Sequence, residues 1–248
     1  MNKEMNIIKE LSRNPYLIMA FLGGIACLMT QYYNFTQEGY SLKKRLQIVC
    51  LTFICIITGV VFSILGFWLF TGILELPPSE WLEHIGLTAY PGMIAAWLSL
   101  CLGSLILGMN IAKVSSIAAP CIVIFFVFGR VGCSLAGCCY GRPTHFILLG
   151  HEYKSYPTAQ LEAFFLLSLF FALQLFIKKY RSVITILSYS IFRFFNEFLR
   201  GDDRGSLIPG FPFSPAQTIA LSLIIIITLL PAYYYIKSRL MRNRTQTI

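Results

Sequence analysis

Long apolar stretches alternate with short polar connections along most of the chain. Four stretches contain no charged residue and are long enough to cross a membrane: 14–37, 46–74, 85–112 and 205–236. Three more qualify once one or two internal charges are accepted: about 116–138, 157–177 and 183–199. Because a helix needs about 20 mostly apolar residues to cross the hydrocarbon core, this pattern predicts an all-α polytopic membrane protein with about seven transmembrane helices. We expect a single transmembrane domain over residues 1–248.

The last apolar stretch is predicted to contain a loop followed by a helix. The segment 209–212, Pro-Gly-Phe-Pro, breaks any helix. Ser214, Pro215 and Gln217 then have the spacing of an N-cap, a first helical position and a capping-box residue. We therefore predict that the last helix begins near Pro215.

The composition supports a membrane protein and excludes several other classes. Hydrophobic residues make up 56% of the chain and charged residues only 12%, whereas a soluble domain carries about a quarter charged residues. Nucleic-acid binding, intrinsic disorder and a small disulfide-stapled secreted fold are therefore poor interpretations. The first apolar stretch continues into a membrane protein, so no cleavable signal peptide is expected.

The positive charges of the connections predict the orientation. The connections 38–45, 110–115, 178–182 and 237–248 alternate to one side and hold eleven lysines and arginines, against seven on the opposite side. Cytoplasmic loops carry the excess of Lys and Arg. We therefore place the N-terminus outside and the C-terminus in the cytoplasm, although the basic N-terminal segment argues weakly for the reverse.

Charged residues inside predicted spans are functional candidates, because they are expensive in a bilayer. Arg193, Glu197 and Arg200 follow at i, i+4 and i+7 and share one helical face. Arg193 and Glu197 can pair simply to tie helices together. The second arginine leaves a surplus positive charge, which suits a phosphate or carboxylate ligand.

Arg130 lies about 12 Å below Cys138 along the fourth span, so it needs a partner there. Gly129 and Gly132 should let another backbone approach this helix closely. In the predicted topology these polar residues, together with the start of the third span at Tyr90, fall in the outer leaflet.

Three of the eight cysteines cluster along the sequence. The other five, which lie singly in apolar runs and act there as small hydrophobes, are Cys27, Cys50, Cys55, Cys101 and Cys121. Cys133, Cys138 and Cys139 surround a turn framed by glycines. They are inert fillers, a disulfide or metal site, or a source of a thiolate nucleophile close to Arg130 or Arg142. A metal site is disfavoured because no histidine lies at ligand spacing.

Several strings together resemble the bacterial phosphatidylglycerol:prolipoprotein diacylglyceryl transferase family, over about residues 90–236. The first string is Gly-Arg-Val-Gly-Cys-Ser-Leu-Ala-Gly-Cys-Cys-Tyr-Gly-Arg at 129–142. The others are Pro-Thr-Ala-Gln-Leu-Glu at 157–162, Phe-Arg-Phe-Phe-Asn-Glu-Phe-Leu-Arg at 192–200, and Ala-Gln at 216–217. Three departures from the family pattern bear on the chemistry. Tyr90 stands where the family has His, Cys133 where it has Asn, and Cys138 where it has Glu.

The resemblance implies transfer of a diacylglyceryl group from phosphatidylglycerol to a prolipoprotein cysteine or another thiol acceptor, with release of glycerol phosphate. It also implies a multi-pass protein of the bacterial plasma (inner) membrane that needs no metal and no organic cofactor and binds no nucleic acid. Because the arginines are retained and the residues that assist the acceptor are changed, we expect the lipid donor to be preserved better than the acceptor.

The resemblance also assigns roles to individual residues. Arg130 and Arg193 would bind the phosphate, and Glu197 would hold Arg193 in position. Tyr90 would hydrogen-bond donor or acceptor, but it is a poor base because its ordinary pKa is about 10. Cys138 is the remaining catalytic candidate. The candidate substrate-binding residues are Arg142, Arg200, Cys133, Cys139 and Gln217.

Two other functions remain open at the level of sequence. One is a non-catalytic lipid-binding or assembly protein on the same scaffold, which the loss of the family His and Glu favours. The other is an organic-anion transporter that uses the arginines as its binding site. Charges confined to one leaflet and the lack of an inverted repeat argue against transport.

Overall fold

The structure is a computed structural model that describes residues 15–73, 77, 81, 88–148, 151–201 and 212–229. These residues form seven helices and one β-hairpin. The elements are α1 (Pro15–Gln37), α2 (Leu42–Thr71), α3 (Ala89–Ile106), α4 (Ile111–Leu135), β1 (Pro143–Leu148), β2 (His151–Ser155), α5 (Thr158–Phe171), α6 (Arg181–Glu197) and α7 (Pro215–Leu229). One wider turn of π-helix, Ala172–Phe176, extends α5.

The helical content confirms a helical membrane protein. Within the described residues, α1, α2, α4 and the extended α5 are each long and apolar enough to cross a membrane. The helices α3 and α7 are apolar but shorter, and α6 has 17 residues with a polar buried face.

The described residues also contain one short β-hairpin beside the helices that the sequence predicted. β1 and β2 pair antiparallel between α4 and α5, with Phe146 opposite Tyr153 and Ile147 opposite Glu152. The register shifts between Pro143 and Phe146. Because the strands are short and irregular, apolar and polar residues hardly alternate along them, and the apolar pattern of the sequence did not reveal the hairpin.

The described residues fall into two compact units, of which the first runs from Leu28 to Ala118. Here α2 and α3 pack closely through small residues. A Cβ on Gly92 would lie 2.6 Å from the carbonyl oxygen of Gly59, so only glycine permits this approach. Phe35 and Val114 belong to the apolar core of this unit.

The second unit contains the described residues up to Cys27 and those from Ala119 onward. The predicted close approach of a backbone is confirmed at Gly132, where a Cβ would lie 3.2 Å from the Cα of Tyr16 in α1. At Gly129 it stays a prediction, since a Cβ there would meet nothing within 4 Å among the described residues. The expectation of a single domain over 1–248 stays a prediction.

Helices α4, α5 and α6 form the core of the second unit. Apolar side chains from α4 and α5 pack together: Val123, Ile124, Val127, Leu166 and Leu169. Phe165 of α5 stacks on Phe192 of α6 with ring centroids 4.2 Å apart. The three helices that carry the charged residues in the predicted spans are therefore neighbours.

A turn after α4 is fastened to the ends of two other helices by backbone hydrogen bonds. The N–H of Gly141 donates to the oxygen of Tyr156 at 3.1 Å, and the N–H of Arg142 donates to the oxygen of Leu199 at 2.8 Å. A Cβ on Gly141 would collide with the Tyr156 carbonyl oxygen. Glycine at 141 thus lets the turn lie between the start of α5 and the end of α6.

Candidate active site

Glu162 is the centre of a buried cluster of charges in the second unit. Its Oε1 lies 2.9 Å from Nε of Arg130 in α4, and its Oε2 lies 3.2 Å from Nη1 of Arg193 in α6. Tyr189 also donates its hydroxyl to Oε1 at 2.8 Å. Two guanidinium groups from different helices therefore meet at the two oxygens of one carboxylate.

Glu197 is the second carboxylate of this cluster. Its Oε2 lies 2.7 Å from Nη2 of Arg193, which confirms the pair predicted from the i, i+4 spacing. The same oxygen lies 3.9 Å from Nε of Arg200. Ser214, just before α7, donates its hydroxyl to Oε1 at 3.0 Å. Arg193 thus bridges the two carboxylates.

The cluster carries an excess of positive charge. Three guanidinium groups face two carboxylates, and all five side chains are at least mostly buried. Arg130 is the most accessible at 13% exposed, whereas the side chains of Arg193, Arg200, Glu162 and Glu197 are at most 5% exposed. Because an unpaired buried charge is strongly unfavourable, a site of this composition favours one additional anion.

The start of α7 reaches the cluster through its N-cap. The N–H of Gln217 donates to Oγ of Ser214 at 3.2 Å, and Oε1 of Gln217 accepts from the N–H of Ser214 at 3.1 Å. These reciprocal bonds confirm the predicted capping box. The Gln217 amide also donates to the carbonyl of Phe194 at 3.4 Å. Its predicted role in substrate binding stays a prediction.

Three thiols lie beside the cluster. Among the described residues, Cys133, Cys138 and Cys139 bring their Sγ atoms within 4.8 Å of one another. Arg130 donates from Nη1 to Sγ of Cys139 at 3.9 Å. The sequence placed these cysteines near one turn, and the structure shows that all three point to one place next to a buried guanidinium.

The environment distinguishes the two cysteines of the turn. A hydrogen bond from the Cys133 thiol lowers the pKa of Cys139 to about 4. Burial acts in the opposite direction, whereas the charges of Arg200 and Arg130 add to the lowering. Burial and the neighbouring Cys139 raise the pKa of Cys138. These environments favour a thiolate at Cys139. The catalytic role expected for Cys138 stays a prediction.

The remaining predicted residues lie in different surroundings. Arg142 is an exposed side chain whose Nε donates to the carbonyl of Arg200 at 3.2 Å. Tyr90 is half-buried in the first turn of α3, in the unit from Leu28 to Ala118. The roles assigned to both residues stay predictions.

The sequence-based site omitted two residues of the cluster, Glu162 and Tyr189. Glu162 had a signal, because a lone carboxylate in an apolar span is a functional candidate by default. Tyr189 precedes Arg193 by four residues and so shares its helical face. Spacing alone does not tell which polar partner on another helix such a tyrosine meets.

These features define a polytopic membrane protein with a buried arginine–glutamate cluster on neighbouring helices. The sequence model of the prolipoprotein diacylglyceryl transferase family matches residues 5–233, and the chain belongs to this family. The match extends well beyond the region 90–236 that carries the motifs.

Two relatives show how much of the chain is shared. The chain is 30% identical over 213 residues to the phosphatidylglycerol–prolipoprotein diacylglyceryl transferase 2 of Clostridium perfringens, covering 77% of this chain and 80% of that protein. It is 29% identical over 242 residues to a phosphatidylglycerol–prolipoprotein diacylglyceryl transferase of Dehalococcoides mccartyi, covering 89% and 88%. The similarity is therefore spread over most of both chains.

Proposed function

We propose that this protein transfers the diacylglyceryl group of phosphatidylglycerol to the cysteine sulfur of a prolipoprotein and releases glycerol phosphate. The names of its relatives support the donor and the acceptor. The observation that carries the proposal is the placement of Arg130 and Arg193 on the two oxygens of buried Glu162. This arrangement suits a reaction whose leaving group is a phosphate.

The chemical step needs stabilisation of the charge on that leaving group. The acceptor sulfur attacks the carbon of the diacylated glycerol that bears the phosphate. A carbon–sulfur bond forms there, and the bond from this carbon to the phosphate oxygen breaks. The electron pair stays on the phosphate oxygen, and the thiol proton passes to water. Guanidinium groups fixed in place before the reaction stabilise such charge without reorganising during the step.

The arginines and the carboxylates have different parts in this proposal. Arg130 and Arg193, with Arg200 nearby, contact the phosphate, since planar guanidinium groups bind phosphate oxygens in pairs. Glu162 and Glu197 are positioning residues that hold the guanidinium groups apart and fix their planes. The excess positive charge of the cluster is then matched by the lipid phosphate.

We further propose seven transmembrane spans in the inner membrane, with the N-terminus outside and the C-terminus in the cytoplasm. Seven helices among the described residues and the excess of lysine and arginine in alternate connections support this arrangement. Helix α6, with 17 residues, is about 25 Å long at 1.5 Å per residue. In this orientation Arg130 and Glu197 lie in the outer leaflet.

A transfer assay on the purified protein tests the proposal. The protein in lipid nanodiscs receives phosphatidylglycerol labelled in its headgroup and a peptide with a lipobox cysteine, and released glycerol phosphate is measured. We expect release with this peptide and a loss of roughly 100-fold or more in R130Q and R193Q. The matched control is K113Q, which removes a surface ion pair with Glu38 and should keep full activity.

A second function is favoured by the replacement of three family residues with Tyr90, Cys133 and Cys138. A non-catalytic scaffold would keep the phosphate-binding arginines and lose the residues that assist the acceptor. The same assay separates the two. Binding of phosphatidylglycerol that needs Arg130, with no release for any acceptor, would replace the transferase by a lipid-binding protein.

A further inference from the structure

The three clustered thiols are brought together by the way α4 ends. The N–H of Cys138 donates to the carbonyl of Cys133 at 3.1 Å, and the N–H of Gly137 donates to that of Ser134 at 3.3 Å. Gly137 has a φ of 68°. This is the Schellman pattern of a helix C-terminus, in which a left-handed residue folds the chain back over the last turn. It places Cys138 above Cys133.

Cys139 is held in the same place by a separate set of contacts. Its backbone is left-handed, with a φ of 60°, and its carbonyl accepts a hydrogen bond from Oγ1 of Thr158 at 2.7 Å. Thr158 is buried at the start of α5. Because a non-glycine residue rarely keeps a left-handed backbone without support, this bond helps to hold the backbone that carries the third thiol.

The resulting triangle has the dimensions of a metal site. With zinc–sulfur bonds of about 2.3 Å and tetrahedral angles, ligand sulfurs lie about 3.8 Å apart. All three Sγ–Sγ distances in the cluster are within 4.8 Å, so small side-chain rotations suffice to bind one ion. The sequence disfavoured a metal for lack of a histidine, but three convergent thiols remove that objection.

The surrounding charge suits a zinc ion held by thiolates. Zinc with three thiolates carries one net negative charge, and Arg130 lies 3.9 Å from Sγ of Cys139. Outer contacts of this kind orient and stabilise metal ligands. Cys138 is exposed whereas Cys133 and Cys139 are partly buried, which leaves one side of the triangle accessible.

We infer that Cys133, Cys138 and Cys139 bind one zinc ion and leave its fourth position open for the thiol of the acceptor. This inference deepens the proposed transferase function and rests on it for the identity of the acceptor. Three protein ligands and one open position are the arrangement of catalytic zinc sites. Two of the three ligands, Cys133 and Cys138, stand where the family has Asn and Glu.

The chemistry of the open position follows from the charge of the ion. An acceptor thiol that coordinates zinc releases its proton to water and remains bound as a thiolate. Its sulfur then attacks the glycerol carbon, the carbon–sulfur bond forms, and the phosphate oxygen leaves with the electron pair toward Arg130. No oxidant or reductant is consumed, and the three cysteines of the protein remain ligands throughout.

Cobalt titration tests the site without relying on activity. The full-length protein, reduced and stripped of metal, is titrated with Co²⁺ as a spectroscopic substitute for zinc. We expect one Co²⁺ per chain, near-ultraviolet absorption from thiolate-to-cobalt charge transfer, and the visible bands of a tetrahedral ion. Each of C133S, C138S and C139S should lose or weaken this spectrum. C50S, which removes an exposed single cysteine of α2, should leave it unchanged.

The acceptor is tested by adding a lipobox peptide to the cobalt protein. The cysteine peptide should shift the visible bands and add charge-transfer intensity, whereas the same peptide with serine should not. Absence of cobalt absorption in the reduced wild-type protein, or a spectrum that survives all three substitutions, would overturn the inference. A cobalt spectrum that does not change when the cysteine peptide is added would show that the fourth position does not bind the acceptor thiol.

The outcomes also separate this inference from the proposed function. Glycerol phosphate release that depends on Arg130 in a protein that binds neither Co²⁺ nor Zn²⁺ would keep the transferase and remove the zinc site. A three-cysteine cobalt spectrum in a protein without any release would keep the zinc site and remove the transferase. If both are right, stoichiometric Zn²⁺ restores release to the stripped wild-type protein.

Discussion

Arg130 and Glu162 form a buried ion pair between α4 and α5, with 2.9 Å between Nε and Oε1. Neither residue has another charge close in sequence with which it could pair on its own helix. The pair therefore depends on the packing of two helices, and it anchors the guanidinium that we place on the lipid phosphate.

Replacing Glu162 by Gln should be strongly destabilising. The substitution keeps the shape but leaves Arg130 and Arg193 without their shared carboxylate, and breaking a buried pair in this way costs about 3–5 kcal/mol. Thermal unfolding of the purified protein in detergent measures the change. The control E38Q breaks the exposed pair with Lys113 and should cost at most about 1 kcal/mol. Equal stability of the two variants would contradict the central position of Glu162.

Replacing Tyr189 by Phe should impair the reaction more than the fold. It removes only the hydroxyl that donates to Oε1 of Glu162, and a hydrogen bond to a charged group contributes about 1.5–3 kcal/mol. We expect kcat for glycerol phosphate release to fall about tenfold or more, with a small change in KM. The exposed Tyr33→Phe in α1 is the control. Unchanged kcat in Y189F would show that Glu162 needs no such support.

Replacing Ser214 by Ala should loosen the start of α7. The side chain caps the helix and also donates to Glu197, and loss of an N-cap alone costs about 0.5–2 kcal/mol. Hydrogen exchange at the first turn of α7 should become faster. S222A removes an exposed mid-helix hydroxyl that donates to the carbonyl of Thr218, one turn earlier, and should leave exchange there unchanged. Identical exchange in S214A and the wild-type protein would exclude the capping role.

Replacing Gly141 by Ala should displace the turn that carries the cysteines. A Cβ at this position collides with the carbonyl oxygen of Tyr156, so the backbone bonds that join the turn to α5 and α6 cannot all persist. We expect lower thermal stability and loss of release activity. The control is G24A, because a Cβ there meets nothing within 4 Å among the described residues. A fully active G141A would mean that the turn tolerates movement.

Local features of the fold could be predicted from the sequence. The capping box at Ser214 and the pair of Arg193 with Glu197 depend on residues three or four positions apart, where helix geometry decides the contact. The apolar stretches likewise located the helices, because their lengths reflect the thickness of a bilayer. The close approach of another helix at Gly132 could also be predicted, because small residues mark the places where helices come into contact.

Features that depend on packing could not be predicted. The partner of Arg130 lies on another helix, and only the arrangement of α4, α5 and α6 makes Glu162 that partner. The thiol triangle combines a helix ending, which Gly137 signals, with a bond from Thr158 that no spacing rule indicates. The hairpin of β1 and β2 is short and irregular, so its sequence shows almost no two-residue alternation of apolar and polar positions.

The most direct test of the account is a structure of the protein with a phosphatidylglycerol analogue whose scissile oxygen is replaced by a methylene group. We expect phosphate oxygens within hydrogen-bond distance, about 2.7–3.2 Å, of guanidinium nitrogens of Arg130 and of Arg193 or Arg200. A bound analogue whose phosphate lies elsewhere, while these arginines contact only Glu162 and Glu197, would contradict it.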